Sequence, residues 1–403
     1  MDPGDVEYEP VSVKAVLSEM KDTAELLIDL SYSAVLHGSD EVAAEVLELE
    51  ERMDVLQMQA RMSLLMAARS PEDAERLAPV LGVVGAAEKI SDAAGDIAKV
   101  VLEDIGVPEA MRTAIPEAVE TVVRARVATG SDYRDASLGD LNLETETGVR
   151  VIAIRRAGEW IVNPDRETTF EAGDVALLRG TETALAPVYG TITGDAYDPP
   201  APVESSIDDL ERAVDSIVLM KNMSELAVDL AYGAVLFDSQ GVAEEVVELE
   251  AEVDALKSRF EAWVLRAAPR VEDPITLRGL VHLAGATEVI SDAALEISEG
   301  VLRGLDTHPV VAAAVEESDE VIVRVTVASG SRMADASLGD LEVKTATGMR
   351  VIAVRRGDGD GDWVISPGPE TAVHDGDVLI AKGTRTGAGR LADLVDADDP
   401  IDT

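Results

Sequence analysis

The heptapeptide DASLGDL at residues 135–141 returns unchanged at residues 335–341, 200 positions further along the chain. The surrounding sequence follows the same offset, so that residues from 12 to 195 recur from about 212 to 395. The offset becomes 203 after Arg155-Arg156 in copy one and Arg355-Arg356 in copy two. Self-similarity over this length indicates two copies of one structural unit. The fold expected for one copy is therefore expected for the other.

The first half of each copy has the periodicity of helices. In copy one, apolar residues recur at spacings of three and four within residues 13–34, 42–60 and 83–101. This spacing is typical of helices that pack through one face. Breaks fall near Gly38 and at Ser70-Pro71. We expect a three-helix antiparallel bundle, hereafter the bundle, in each copy.

The second half of each copy has the periodicity of strands. After Pro116 the apolar residues alternate, which favours β-structure, and glycines punctuate the runs. We expect a small α+β strand module with strands at Val122–Val127, Val149–Ile154, Trp160–Val162 and Val175–Leu178 and a short helix at Leu138–Leu143. The predicted fold class is an internally duplicated α+β protein. The expected boundaries are bundles at 1–115 and 207–315, strand modules at 116–195 and 316–395, and a linker at 196–206.

The composition is strongly acidic. The chain has 79 Asp and Glu against 34 Lys and Arg, for a formal net charge of −45. An excess spread along the whole chain indicates adaptation to molar salt, where the screening length falls to about 3 Å. An acidic disordered protein is the alternative, but 46% hydrophobic residues in periodic runs can build a core.

The same charge limits the classes of partner. Phosphate backbones and anionic lipid surfaces would repel this chain, so we expect no nucleic-acid binding. No apolar run approaches the roughly 18 residues of a membrane helix, and the N-terminus lacks the pattern of a signal peptide. Cysteine is absent, which excludes disulfides and thiolate metal sites. We expect a cytoplasmic protein without direct membrane insertion.

The strand module contains short motifs in a fixed order: Leu138-Gly139-Asp140-Leu141, Gly148, Val151–Arg156, Asn163-Pro164, Gly173-Asp174 and Gly180-Thr181. This series, which copy two repeats, resembles the TrkA C-terminal (RCK-C) domain of potassium-transport regulators. Such regulators usually begin with a nucleotide-binding domain, but no Gly-x-Gly-x-x-Gly follows a strand here. The resemblance therefore does not extend to sensing of nicotinamide nucleotides.

The bundle carries acidic pairs spaced four residues apart, and it resembles half of a PhoU-type bundle. That resemblance implies binding of divalent metal, and Mg²⁺ or Mn²⁺ would suit an all-oxygen site. The candidate metal ligands are Glu25, Asp29, Glu50, Asp54, Glu88, Asp92, Glu225, Asp229, Glu250, Asp254, Glu288 and Asp292. The alternative is a solvated acidic surface, because about a fifth of all residues are acidic. In copy one, the glutamate of each of the three pairs directly follows an apolar seam residue. This position predicts that the pairs lie on the flank or outer face of the bundle.

The RCK-C resemblance also implies self-association and a ligand site. RCK-C domains resemble one another in pairing across a sheet edge, and some bind cyclic dinucleotides there. The candidate ligand-binding residues are Arg155, Arg156, Ile161, Asn163, Pro164, Arg355, Arg356, Ile365, Ser366 and Pro367. Paired arginines suit phosphate recognition, although arginine at a strand end is also a common surface ion-pair residue. Ser366 replaces asparagine in copy two, so symmetric binding is in doubt.

Together these features predict a regulator of cation transport without catalytic residues of its own. The resemblance favours potassium, with magnesium second, and an integral-membrane transporter or channel as partner. The alternative is a PhoU-type negative regulator of phosphate uptake. No Ser/His/Asp or His-metal spacing indicates an enzyme. We expect the two bundles to pack as a six-helix body with pseudo-two-fold symmetry, and the strand modules to pair likewise, within one chain or between two.

Overall fold

A computed structural model describes residues 13–68, 70–108, 111, 121–162, 164–197, 207–237, 239–304, 320–357, 363–365 and 367–396. Each copy begins with three long helices, as the periodicity predicted. They are α1 (Val13–His37), α2 (Asp40–Ala67) and α3 (Pro71–Leu102) in copy one and α7 (Asp208–Phe237), α8 (Gln240–Ala267) and α9 (Arg278–Leu302) in copy two. In these described ranges, no helix is long and apolar enough to cross a bilayer.

The helix boundaries follow from local chemistry. Gly38 has a φ of 57°, a left-handed conformation that glycine adopts without steric cost, and this reverses the chain after α1. Ser39 then caps α2 by accepting a hydrogen bond from the backbone N–H of Val42 at 3.2 Å. Ser239 caps α8 in the same way. The breaks expected near Gly38 and at Ser70-Pro71 are confirmed.

The strand modules have one antiparallel sheet each. In copy one the elements are β1 (Thr121–Arg126), α4 (Leu138–Leu141), α5 (Leu143–Thr147), β2 (Arg150–Arg156), β3 (Glu159–Val162), β4 (Val175–Gly180) and α6 (Glu182–Thr193). In copy two they are β5 (Glu320–Thr326), β6 (Ala336–Ser337), α10 (Val343–Thr347), β7 (Met349–Arg355), β8 (Trp363–Ile365), β9 (Ala372–Val373), β10 (Val378–Thr384) and α11 (Arg385–Val395). The strand orders are β1-β4-β2-β3 and β5-β10-β7-β8. Helices α6 and α11, which the sequence reading did not predict, close each module over its own small core.

The two bundles join along α3 and α9. Glycine allows the close approach of these helices, because a Cβ at Gly300 would lie 2.9 Å from the Pro79 side chain. At the other end, the N–H of Gly279 donates to the carbonyl of Gly106 at 3.0 Å. One continuous apolar core runs through both bundles and the inner faces of both sheets. The expected six-helix body is therefore confirmed.

The strand modules do not pair across a sheet edge within the described part of the chain, and pairing between two chains stays a prediction. Each four-stranded sheet consists of strands from one copy, so in the described chain the sheets share no edge. Instead each sheet folds back on its own bundle: β1 packs on α1, and β5 packs on α7 and α8. The backbone N–H of Val122 donates to the Ser33 hydroxyl at 3.2 Å in this contact. Both modules thus line one cleft over α1 and α7.

A hydrogen bond between the copies breaks the internal symmetry. The hydroxyl of Tyr32 bonds to Thr287, whose own hydroxyl donates to the Leu283 carbonyl, so Tyr32 is the donor. Copy two has the equivalent Tyr232, and the symmetry-related position facing it is Ala87. The Tyr232 hydroxyl is buried and, within the described residues, has no hydrogen-bond partner.

We expect Ala87→Thr to stabilise the protein by about 1 kcal/mol, because it supplies the missing acceptor at a position where copy two already accommodates threonine. The converse change, Thr287→Ala, leaves the Tyr32 hydroxyl unpaired and should cost about 1–3 kcal/mol. Urea unfolding of both variants measures these free energies. A lower stability for Ala87→Thr would show that the two tyrosine environments are not equivalent.

Candidate functional site

The first arginine of each candidate ligand-binding pair joins its strand module to its bundle. In copy two, Glu245 on α8 is 2% exposed and accepts hydrogen bonds from Arg324 on β5 at 2.6 Å and from Arg355 on β7 at 2.7 and 2.9 Å. In copy one, Glu45 accepts from Arg124 at 3.2 Å and Arg155 at 2.6 Å. Arg155 and Arg355 therefore hold the fold together at the bundle–sheet junction.

The second arginine of each pair is also occupied. Arg156 makes a two-pronged ion pair with the buried Asp174 at 2.7 and 2.9 Å, and Arg356 pairs with Asp377 at 2.5 Å. The hydrogen bond to Asp174 is the main reason why the pKa of Arg156 is raised. These contacts tie the end of β2 and of β7 to the turn before the next long strand. The arginines thus act as the ion-pair residues that the alternative reading described.

The other candidate ligand-binding residues are dispersed. Ile161 packs against the small core of the first strand module, and Ile365 lines the cleft over α1 and α7. Pro164 and Pro367 are half-buried. Asn163 and Ser366 lie outside the described residues. Ligand binding at this set stays a prediction.

A cleft lies between the two strand modules. It has a volume of about 360 Å³. Helices α1 and α7 form its floor and carry four of the candidate metal ligands, Glu25, Asp29, Glu225 and Asp229. The two strand modules contribute its cations, which are Arg150, Arg179, Lys344, Arg350 and Lys382. The seam pattern predicted the flank or the outer face of the bundle, and the structure places these four acids on the side that the two strand modules cover.

Side-chain cations accompany these four carboxylates. Lys21 forms an ion pair with Glu25, and Lys221 forms the equivalent pair with Glu225. Arg179 of β4 reaches down to Asp29 at 3.0 Å. Lys382, the equivalent of Arg179, lies close enough to Asp229 to lower its pKa against the other influences. A lysine or arginine of the chain thus occupies the place where a counter-ion for each carboxylate was expected.

Two of the acids share a proton across the copies. Burial, and next the charge of Glu25, raise the pKa of Asp229 to about 8. Burial alone would raise the pKa of Glu25 too, but Lys21 and the hydrogen bond with Asp229 outweigh it and lower that pKa. Near neutral pH the pair is therefore one carboxyl group donating to one carboxylate.

This pair predicts a pH-dependent stability. The pKa of Asp229 is about 8 in the folded chain and 3.8 as an ordinary aspartate. Between these values the folded state keeps a proton that the unfolded state has lost, so the free energy of unfolding falls as pH rises from about 4 to 8. Lys21 from α1 and Lys382 from β10 act on the same pair, and Asp22 acts on Lys21. Asp229→Asn keeps the hydrogen bond to Glu25 without titrating, and should flatten this slope in urea unfolding at pH 5–8.

The matched control is Asp29→Asn, which removes the ion pair with Arg179 instead. Burial, and next the charge of Asp29, raise the pKa of Glu225. We therefore expect Asp29→Asn to lose stability across pH 5–8 and to lose only the part of the slope that Glu225 contributes, while the part due to Asp229 stays. A wild-type slope in Asp229→Asn would contradict the shared proton.

A second cluster of candidate metal ligands lies on the far side of the second bundle. Oxygens of Glu250, Asp254 and Asp292 lie within 4.8 Å of one another. Burial, followed by the neighbouring carboxylates, raises the pKa of Glu250 and of Asp292. Such a cluster of carboxylate oxygens suits a hard cation. Glu288, which lies on α9 together with Asp292, is instead paired with Lys257.

Copy one differs at the equivalent cluster. Lys99 lies 3.9 Å from Glu50 and also lowers the pKa of Asp92 against burial, whereas copy two has Glu299 at this position. Glu88 is paired with Arg61 at 3.1 Å. Burial raises the pKa of Glu50 and of Asp92, and the charge of Asp54 adds to this rise. Among the described residues, three of the twelve candidate carboxylates thus come together in copy two without an ion pair of their own. Lys257, which pairs with Glu288, lies close enough to act on Asp292 as well.

Sequence reasoning missed Glu45 and Glu245, although a signal was present. Glu45 lies between Val42, Val46 and Leu49 on the apolar stripe of α2, where an acid is expensive unless it is paired. Glu245 has the same place on α8.

Comparison with known families agrees with this architecture. A model of the TrkA-C domain matches residues 122–189 and 322–396, and a model of the PhoU domain matches residues 17–101 and 217–301. The chain therefore carries two PhoU domains and two TrkA-C domains in alternation.

Individual relatives match more distantly. The "Probable potassium channel protein 2" of Methanocaldococcus jannaschii is 29% identical over 123 residues, which are 28% of this chain and about a third (35%) of that protein. PhoU from Pseudomonas aeruginosa is 13% identical with a TM-score of 0.42, covering 72% of this chain and 96% of that one. The RCK_C domain dimer of S. agalactiae BusR in complex with c-di-AMP is 22% identical with a TM-score of 0.19, covering 20% of this chain and 96% of that one.

Proposed function

We propose that this chain regulates potassium transport by acting on an integral-membrane transporter or channel. The TrkA-C and PhoU domains support the proposal, as does the name of the channel relative. The observation that carries it is the placement of both TrkA-C modules over one cleft, whose floor is α1 of copy one and α7 of copy two. Glu45 and Glu245 each hold one TrkA-C module on its bundle. Binding of a ligand in the cleft would change the spacing between these two modules.

Potassium uptake tests this proposal. The gene is deleted in its host, and potassium uptake and retention are measured at limiting external potassium. We expect altered uptake that returns with the wild-type chain, and co-purification of a membrane-embedded cation transporter with the tagged protein. Unchanged potassium flux together with derepressed phosphate uptake would instead support the alternative, a PhoU-type negative regulator of phosphate uptake. Magnesium flux is measured in the same strain as the second candidate ion.

The cluster in copy two supports a further candidate role, binding of a divalent cation. We expect Mn²⁺ or Mg²⁺ to raise the thermal midpoint through Glu250, Asp254 and Asp292, because the metal offsets the repulsion of three close carboxylates. Glu250→Gln should abolish this stabilisation. Glu50→Gln is the matched control and should leave it intact, because Lys99 already neutralises the copy-one cluster. Equal loss in both variants would mean that the cations merely screen the acidic surface.

A further inference from the structure

Four of the cations that line the cleft form two like-charged pairs, which lowers the stability of the sheets. Arg150 on β2 lies directly opposite Arg179 on β4, and Arg350 on β7 lies directly opposite Lys382 on β10. Like charges in directly opposed positions of antiparallel strands share one face of the sheet and destabilise it. Both sheets repeat this arrangement, and both like-charged pairs line the same cleft. A bound anion would offset the repulsion between these paired cations.

The carboxylates of the floor satisfy only part of this charge. Arg179 pairs with Asp29, Lys382 acts on Asp229, and Lys21 and Lys221 pair with the two glutamates. Arg150, Arg350 and Lys344 are exposed and make no ion pair with any described residue. The cleft thus has three cations that are not paired with any of its four carboxylates, in a chain whose net charge is −45.

We propose that the cleft binds a small ligand with two phosphate-type groups, one held by Arg150 and the other by Arg350. The guanidinium fork matches a phosphate oxyanion in two-pronged geometry. The two arginines are equivalent residues of the two copies, so they present the same chemistry from opposite walls. A volume of about 360 Å³ suits one small molecule.

The two walls are not identical, and the difference orients the ligand. Lys344 lines the cleft in copy two, while the equivalent residue of copy one is Glu144. The more highly charged phosphate group is therefore held beside Arg350. This site is separate from Arg155 and Arg355, which the bundle–sheet junction occupies.

Calorimetry on the purified full chain tests the site, at a KCl concentration where the chain is folded. Pyrophosphate should bind with one molecule per chain, and Arg150→Gln with Arg350→Gln should weaken binding at least tenfold. The matched control is Arg166→Gln with Arg332→Gln, which removes the same charge from exposed positions outside the cleft and should bind like the wild type. Inorganic phosphate tests whether a single phosphate group is enough for binding. ADP tests whether a diphosphate attached to a nucleoside binds better than free pyrophosphate.

A second measurement separates binding from folding. Because the change relieves like-charge repulsion, Arg150→Gln alone should leave the thermal midpoint unchanged or raise it without ligand, while reducing the shift produced by pyrophosphate. Absence of pyrophosphate binding at millimolar concentration would overturn the proposal, and so would equal weakening in the control variant. The inference does not depend on the regulatory role proposed above, because binding is measured on the isolated chain.

Discussion

Glu245→Ala should detach the second strand module from its bundle and destabilise that module by about 3 kcal/mol. The change leaves Arg324 and Arg355 facing a junction where the glutamate was 2% exposed, so that two partly buried charges lose their partner. The expected cost lies at the lower end for buried pairs, because both arginines keep some contact with water.

Tryptophan fluorescence during urea unfolding can isolate this effect. Trp363 lies in β8 of the second module, so a chain with Trp160 and Trp263 replaced by phenylalanine reports on that module alone. The transition should move to lower urea in Glu245→Ala. An unchanged midpoint would mean that apolar packing, and not the ion pair, holds the sheet on the bundle.

The matched change in copy one should cost less. Only one oxygen of Glu45 accepts hydrogen bonds from Arg124 and Arg155, and its other oxygen is buried with no hydrogen-bond partner within the described residues. Burial accordingly raises the pKa of Glu45 in spite of the two arginines. We expect Glu45→Ala to shift the Trp160 signal by less than Glu245→Ala shifts that of Trp363.

Salt should have the second large effect. With a formal net charge of −45, the folded chain repels itself, and the screening length shortens from about 10 Å at 0.1 M to about 3 Å at 1 M salt. We expect the thermal midpoint to rise by more than about 10 °C between 0.1 and 3 M KCl. Differential scanning calorimetry across this range measures the rise, with a sulfate series to separate screening from salting out.

A flat salt profile would contradict adaptation to high salt. It would mean that internal ion pairs, such as those of the cleft, already neutralise the repulsion that matters for folding. In that case the acidic residues would act on solubility alone.

The helices and strands could be predicted from sequence because their apolar spacing directly reflects which face is buried. Val42, Val46 and Leu49 mark the inner face of α2, and Gly38 marks its start. Helix α6 was not predicted, because Pro187 and several small polar residues obscure its period. The spacing of apolar residues therefore predicts a helix or strand only where that spacing is regular.

The cleft could not be predicted in this way. Glu25 and Asp229 are 204 positions apart and meet only because the bundles join along α3 and α9. Likewise Arg155 suits a phosphate in isolation, and only the folded chain shows that Glu45 holds it. Spacing along one helix identifies a face, whereas tertiary packing decides which charges lie opposite that face.

The covalent link between the copies has a consequence for how the cleft responds to dilution. Two separate subunits would lose such a site at low protein concentration, whereas here both walls are delivered by one polypeptide at a fixed effective concentration. Its occupancy would therefore follow the ligand and not the expression level of the protein. The link also frees each half to change alone, as Lys99 and Glu299 already have, so one gene carries two domains of unequal charge that a homodimer could not maintain.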